Sequence, residues 1–170
     1  AVDFFGFGNE TENVEDDDFY HARQAKGEVL ATLDWNPAST LTLSAGPIFE
    51  LFRPDAEANQ GTIIDDLQPY GYSDFDQVGG IAEAVWDRRD SEIASRTGTF
   101  LRARARHFLP VADVTSSFTV QDWDAAAFLS AEIPGRPVLA LRLGGTQTWG
   151  EIPVHQSAFV GGSPNLRAFR

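Results

Sequence analysis

Apolar side chains recur at every second position through most of this chain, over stretches longer than ordinary strands. Val29, Ala31, Leu33 and Trp35 alternate with Glu28, Thr32 and Asp34. Leu41, Leu43, Ala45, Phe49 and Leu51 alternate with Thr40, Thr42, Ser44 and Glu50. Ala82, Ala84 and Trp86 oppose Glu83 and Asp87, and Leu101, Ala103 and Ala105 oppose Arg102, Arg104 and Arg106. Trp123, Ala125, Ala127, Leu129, Ala131 and Ile133 oppose Asp122, Asp124, Ser130 and Glu132, and Leu139, Leu141 and Leu143 oppose Arg142. A period of two sends successive side chains to opposite faces of a strand, so each segment reads as a strand with one apolar face. With a weak first strand near Val2 to Phe7, the pattern predicts about seven strands and no amphipathic helix.

Strand length narrows the fold. The segments run to roughly 10 to 16 residues, whereas strands of soluble domains average roughly 5 or 6. A tilted strand crossing a bilayer needs about 9 to 11. Connections are expected to alternate between tight turns, at Asn36-Pro37-Ala38-Ser39 and Pro134-Gly135-Arg136-Pro137, and long polar loops, at Gly8 to Asp18 and Phe52 to Asp76. Leu109 to Thr115 is intermediate and falls on the long-loop side. Short turns on one side and long loops on the other are the habit of outer-membrane barrels. The fold expected is therefore all-β: an antiparallel up-and-down transmembrane β-barrel, present in part as a curved open sheet.

Composition removes several classes of function. The 170 residues carry 13 Lys and Arg against 25 Asp and Glu, a net charge of −12. A nucleic-acid partner would require a basic face to neutralise phosphates. There is no cysteine, hence no disulfide framework and no thiolate metal site. There is no methionine either, so Ala1 is expected to be a processed or cut end. No stretch is long and apolar enough for a membrane-spanning helix.

In a barrel wall the apolar faces would meet lipid, with Trp35, Trp86 and Trp149 near strand ends where indole rings favour the membrane interface. In a soluble β-sandwich the same tryptophans would anchor a core. The opposite faces carry complementary charge. The Arg102, Arg104 and Arg106 strand lies between one with Glu83 and Asp87 and one with Asp122, Asp124 and Glu132. Neighbouring strands are about 4.8 Å apart, close enough for a cross-strand ladder of ion pairs lining a lumen. A solvated sheet face would accommodate the same residues, and in either case their role is structural.

Three segments resemble the barrel of the Omp85, or bacterial surface antigen (D15), family. Phe4-Phe5-Gly6-Phe7-Gly8-Asn9-Glu10-Thr11 looks like the family's aromatic-Gly-x-Gly-Asn-Glu-Thr segment. Trp86-Asp87-Arg88-Arg89-Asp90, followed by Arg96-Thr97-Gly98, is similar to its Asp-x-Arg-Asp periplasmic turn, with Asp87, Arg89, Asp90 and Gly98 as the matching residues. Val160-Gly161-Gly162 with Leu166-Arg167-Ala168-Phe169 resembles the signature of the loop that folds back into the barrel, with Ala168 where the family usually has glycine.

The resemblance covers nearly the whole chain and implies one partial barrel domain over residues 1–170. It would supply about strands five to eleven of an even-stranded barrel and a signature loop at 149–170. It implies further strands beyond Arg170. It also implies that Arg167 sits inside the barrel, that Gly161 and Gly162 permit the tight path, and that Leu166 and Phe169 hold the loop tip to the wall. The function implied is assembly, insertion or translocation of proteins at the bacterial outer membrane. Lipid and lipopolysaccharide would be its surroundings, and client or accessory assembly proteins its partners. The alternatives are a passive outer-membrane channel and a soluble β-sandwich binding module.

No enzyme and no cofactor are expected. Asp87 and Asp90 with Arg88 and Arg89 read as a turn-stabilising network rather than a catalytic acid cluster. Glu15-Asp16-Asp17-Asp18 lacks the spaced ligands of a calcium loop. His21, His107 and His155 have no metal-type spacing, and Ser157 and Ser163 lack a nucleophile-elbow context. An enzyme domain, present in some members of that family, would lie outside these residues.

Overall fold

The computed structural model describes residues 2–3 and 21–157. A small antiparallel ladder joins β1 (Val2–Asp3) to β2 (His21–Ala22). The body of the molecule is one curled antiparallel half-barrel sheet. Its strands are β3 (Gln24–Leu30), β4 (Leu33–Ala38), β5 (Leu41–Pro54), β6 (Phe75–Asp87), β7 (Gly98–Phe108), β8 (Phe118–Ser130) and β9 (Val138–Trp149). The order is β3-β5-β6-β7-β8-β9, with β4 also on β5, so from β5 onward each strand pairs with the next in sequence. Strands of 11 to 14 residues from β5 to β9 agree with the lengths that the alternation predicts.

β3 and β4 are one edge strand broken in the middle. Leu30 faces Ile48 and Leu33 faces Ala45, a single uninterrupted register against β5. The break at Ala31-Thr32 lies opposite Gly46-Pro47, where the Ala31 amide still reaches the Pro47 carbonyl at 3.3 Å. A Cβ on Gly46 would lie 1.8 Å from the Ala31 carbonyl oxygen, so the bend depends on this position having no side chain.

Several boundaries differ from those expected. β4 continues through Ala38, with a register shift between Trp35 and Ala38, so the turn is at Ser39-Thr40 rather than Asn36 to Ser39. Pro37 is tolerated because an edge strand does not need every N–H. β8 stops at Ser130, which leaves Ala131, Glu132 and Ile133 in the following turn. Pro134 and Gly135 (φ 89°) form that turn, closed by Arg136 N–H donating to the Ile133 carbonyl at 2.9 Å. The 55–74 connection contains a five-residue helix, α1 (Ile63–Leu67), too short to leave a periodic signal. Residues 88–97 form a connection no shorter than 109–117, so loop length alone does not assign the two ends of the sheet.

The core sits at one end of one face, where residues 55–74, 109–117 and 150–157 fold over the sheet. Ile48, Phe52, Phe75, Phe108, Val114, Phe118 and Val120 are buried together, with Tyr70 and Ile152 against them. Phe108 and Phe118 stack with ring centroids 4.9 Å apart. The other face is open and apolar: Leu33 is 86% exposed and Leu143 65%. Trp35, Trp86, Trp123 and Trp149 all lie on it, in phase with the leucines and alanines of their strands.

Gly46→Ala is expected to lower stability by about 1–3 kcal/mol because backbone, not a flexible tip, blocks the added methyl. Gly80→Ala, whose added methyl would meet its nearest atom at 3.8 Å, should change stability by less than about 0.5 kcal/mol. Denaturation midpoints of the two variants measured side by side check the contrast.

Candidate functional site

The even positions of β5, β7 and β8 and the odd positions of β6 share the covered face, and alternation places most charged strand residues on it. Glu83 on β6 accepts from Arg102 Nε at 2.8 Å and from Arg104 Nε at 2.6 Å. Arg106 lies between the two sides, with Nη2 3.3 Å from Asp122 on β8, and Asp122 also accepts from the Thr146 hydroxyl at 2.8 Å. Among the described residues Arg106 Nε is buried with no hydrogen-bond partner.

Three members of the expected ladder are placed differently. Asp124 faces Arg102 in register but bonds Arg142 of β9, at 3.0 Å from Nε and 2.6 Å from Nη2, because Glu83 already holds Arg102. Asp87 ends β6 opposite Phe100, not an arginine, and pairs with Arg89 two residues on at 2.5 Å. Glu132 leaves the face altogether, since β8 ends two residues before it.

The centre of this face is Glu50, which no motif singles out. It is fully buried on β5, directly opposite Glu28. Lys26 Nζ lies 2.6 Å from one carboxylate oxygen and 2.9 Å from Glu28, and Arg106 Nη1 is 3.6 Å from that same Glu50 oxygen. The other Glu50 oxygen accepts from the side-chain amides of Gln77 and Gln156, the latter at 2.5 Å. A buried carboxylate demands this degree of filling, because unpaired charge in the interior costs several kcal/mol.

Gln156 belongs to a strap, residues 150–157, that leaves β9 and turns across the covered face. Pro153, Val154 and Gln156 are buried. Val154 N–H donates to the Tyr70 carbonyl at 2.8 Å. His155 stacks on Phe52 with centroids 3.6 Å apart and meets Phe75 edge-on. Its Nδ1 faces the Gly71 carbonyl at 3.3 Å and its Nε2 the Gln77 side-chain oxygen at 3.4 Å. Burial lowers the His155 pKa to about 4; the Gly71 carbonyl opposes that shift and nearby Lys26 adds to it.

The 88–97 turn is a separate network. The Arg96 and Thr97 amides donate to Asp90 at 2.9 and 3.2 Å, which holds that carboxylate below its usual range. Arg89 lies over the Phe100 ring at 4.6 Å while bonding Asp87. Gly98 has φ 112°, and a Cβ there would fall 2.1 Å from the Arg88 carbonyl oxygen, so the strand can only open with glycine. The four residues Asp87, Arg89, Asp90 and Gly98 thus act together as a turn.

Gly161, Gly162, Leu166, Arg167 and Phe169 lie outside the described residues, as does the Phe4 to Thr11 segment. Among the described residues no cluster of three or more His, Asp or Glu side chains is placed to hold a metal ion. Comparison with protein-family models, with curated proteins and with solved structures finds no match to this chain.

Glu50→Ala removes the acceptor for amide, ammonium and guanidinium groups at once and is expected to cost about 3–5 kcal/mol. Arg142→Ala breaks an exposed pair and should cost at most about 1 kcal/mol. Chemical denaturation of both variants measures the difference.

Proposed function

We propose that this chain is part of an outer-membrane β-barrel of the Omp85 type, working in the insertion or translocation of proteins at that membrane. The observation that carries the reading is the polarity of the sheet. Long strands turn leucine, alanine and tryptophan to an open face, while the opposite face carries ion pairs along the strands and a small core only at the end that the loops cover. On β5 every odd position from Leu41 to Leu51 is apolar, eleven residues, the length a tilted strand needs to cross a bilayer. Closed into a barrel, the charged face would line the lumen.

Two further features support the same reading. The strap after β9 turns inward over the charged face, as expected for the first residues of an inward-folded loop. The Asp87 to Gly98 turn holds together through the residues that the family resemblance singles out. A soluble β-sandwich would require a second sheet over the apolar face. Among the described residues only β1 and β2 lie outside the seven-stranded sheet. A passive channel would share the lumen charges but requires an unobstructed one, which the strap disfavours.

Full-length protein is expected to enter the detergent phase on phase separation and, in proteoliposomes, to speed membrane insertion of a second barrel precursor. Recovery in the aqueous phase without detergent would overturn the membrane assignment. Steady single-channel conductance with no effect on precursor insertion would replace the assembly role with that of a passive channel.

A further inference from the structure

The apolar run on the open face does not reach the loop end of every strand. On each strand it meets a first polar side chain: Arg53 on β5, Asp76 on β6, His107 on β7, Gln121 on β8 and Gln147 on β9. Alternation puts all five on the open face, in phase with the leucines and alanines. Arg53 and Asp76 form an ion pair, the His107 ring and the Thr119 hydroxyl are 2.9 Å apart, and Gln121 is directly opposite Gln147. From these positions toward the turns, every open-face residue of β5, β6, β8 and β9 is apolar or glycine. β7 keeps Ala105, Ala103 and Leu101 before Thr99.

The five positions are not level. Traced through the pairing onto β5, Asp76 is opposite Leu51, and His107 reaches Pro47 through Gly80. Gln121, and with it Gln147, reaches Ala45 through Ala105 and Ala82. From Arg53 to Gln147 the limit steps back by about two residues per strand and never reverses. The turn-side limit moves the same way. Leu41, Trp86, Leu101 and Ala125 are level, yet β8 stays apolar on this face from Ala125 to Leu129, opposite Leu139 of β9. The apolar band therefore runs obliquely across the strands.

A flat bilayer surface follows such a limit only if the strands are tilted. Two residues of rise for each strand spacing of about 4.8 Å corresponds to roughly 50°. That is slightly steeper than the about 35 to 45° of outer-membrane barrels. Upright, the run from Leu41 to Leu51 would stand about 34 Å tall, more than the about 25 Å band of such barrels; at this tilt it stands roughly 20 Å.

We propose that the surface of a phospholipid bilayer crosses the sheet along Arg53, Asp76, His107, Gln121 and Gln147, so that lipid tails cover the face to different heights on different strands. This rests on the barrel reading above and adds to it which side chains meet tails and which meet headgroups and water. Phe49 of β5 lies in hydrocarbon, whereas Gln147 of β9 lies at the headgroups although it is four residues nearer the turns in register. Trp149, just beyond it, suits the same layer.

The test places a dansyl-bearing amino acid, by stop-codon suppression, at Phe49, Leu141 or Gln147 of the full-length protein. Val29, 67% exposed and opposite Phe49, replaces position 49 should that variant not fold. Each variant is reconstituted in phosphatidylcholine vesicles with brominated acyl chains, or in unbrominated ones with iodide on both sides. Brominated chains should quench positions 49 and 141 at least about threefold more than 147, and iodide should show the reverse order. Equal lipid quenching at 49 and 147, or stronger quenching at 147, overturns the oblique boundary. Position 147 shielded from both quenchers also overturns it, and points to a protein partner seated on Gln121 and Gln147. Absence of lipid quenching at all three positions overturns the membrane reading itself, so the two failures are distinct.

Discussion

A carboxyl group shut off from water needs partners for both oxygens, and much of this molecule is arranged around supplying those of Glu50. Lys26 arrives from the edge strand, Gln77 from β6, Arg106 from β7 and Gln156 from beyond β9. These residues come from opposite edges and from the middle of the sheet. One buried group thus couples the curl of the sheet to the position of the strap, which backbone pairing alone would leave unspecified. Glu50 is fully buried, and hydrogen bonds and ion pairs are stronger there than in water.

The sheet itself was readable because alternation is local information. Each run of apolar odd or even positions states its own face, and neighbouring runs agree. Strand ends were less readable. Ala131 and Ile133 keep the period but not the pairing, because Pro134 and Gly135 pull the chain into a turn. The Asp87 to Gly98 turn announced itself through clustered Asp, Arg and Gly. Partner choice in the charged face did not: Arg102 has carboxylates available on both neighbouring strands, and only geometry shows that Glu83 takes both Arg102 and Arg104 and leaves Asp124 to Arg142.

Glu50 was hidden for a related reason. In sequence it is one more polar residue in an alternating strand, like Ser44 or Thr42. Its importance comes from Gln156, more than a hundred positions away, and from Gln77, and glutamines carry no charge pattern to follow. His155 likewise has no neighbours in sequence that suggest a site. The stacking on Phe52 exists only because the strap turns inward.

The broken edge strand makes the two borders of the sheet unequal. Along β3 and β4 an approaching strand meets two short runs, interrupted at Ala31-Thr32, shifted near Pro37 and guarded by Lys26. Along β9 it meets twelve continuous positions with no proline, unpaired on that side among the described residues. Further strands would add most readily at β9, whereas the β3–β4 border offers a partner only two short runs.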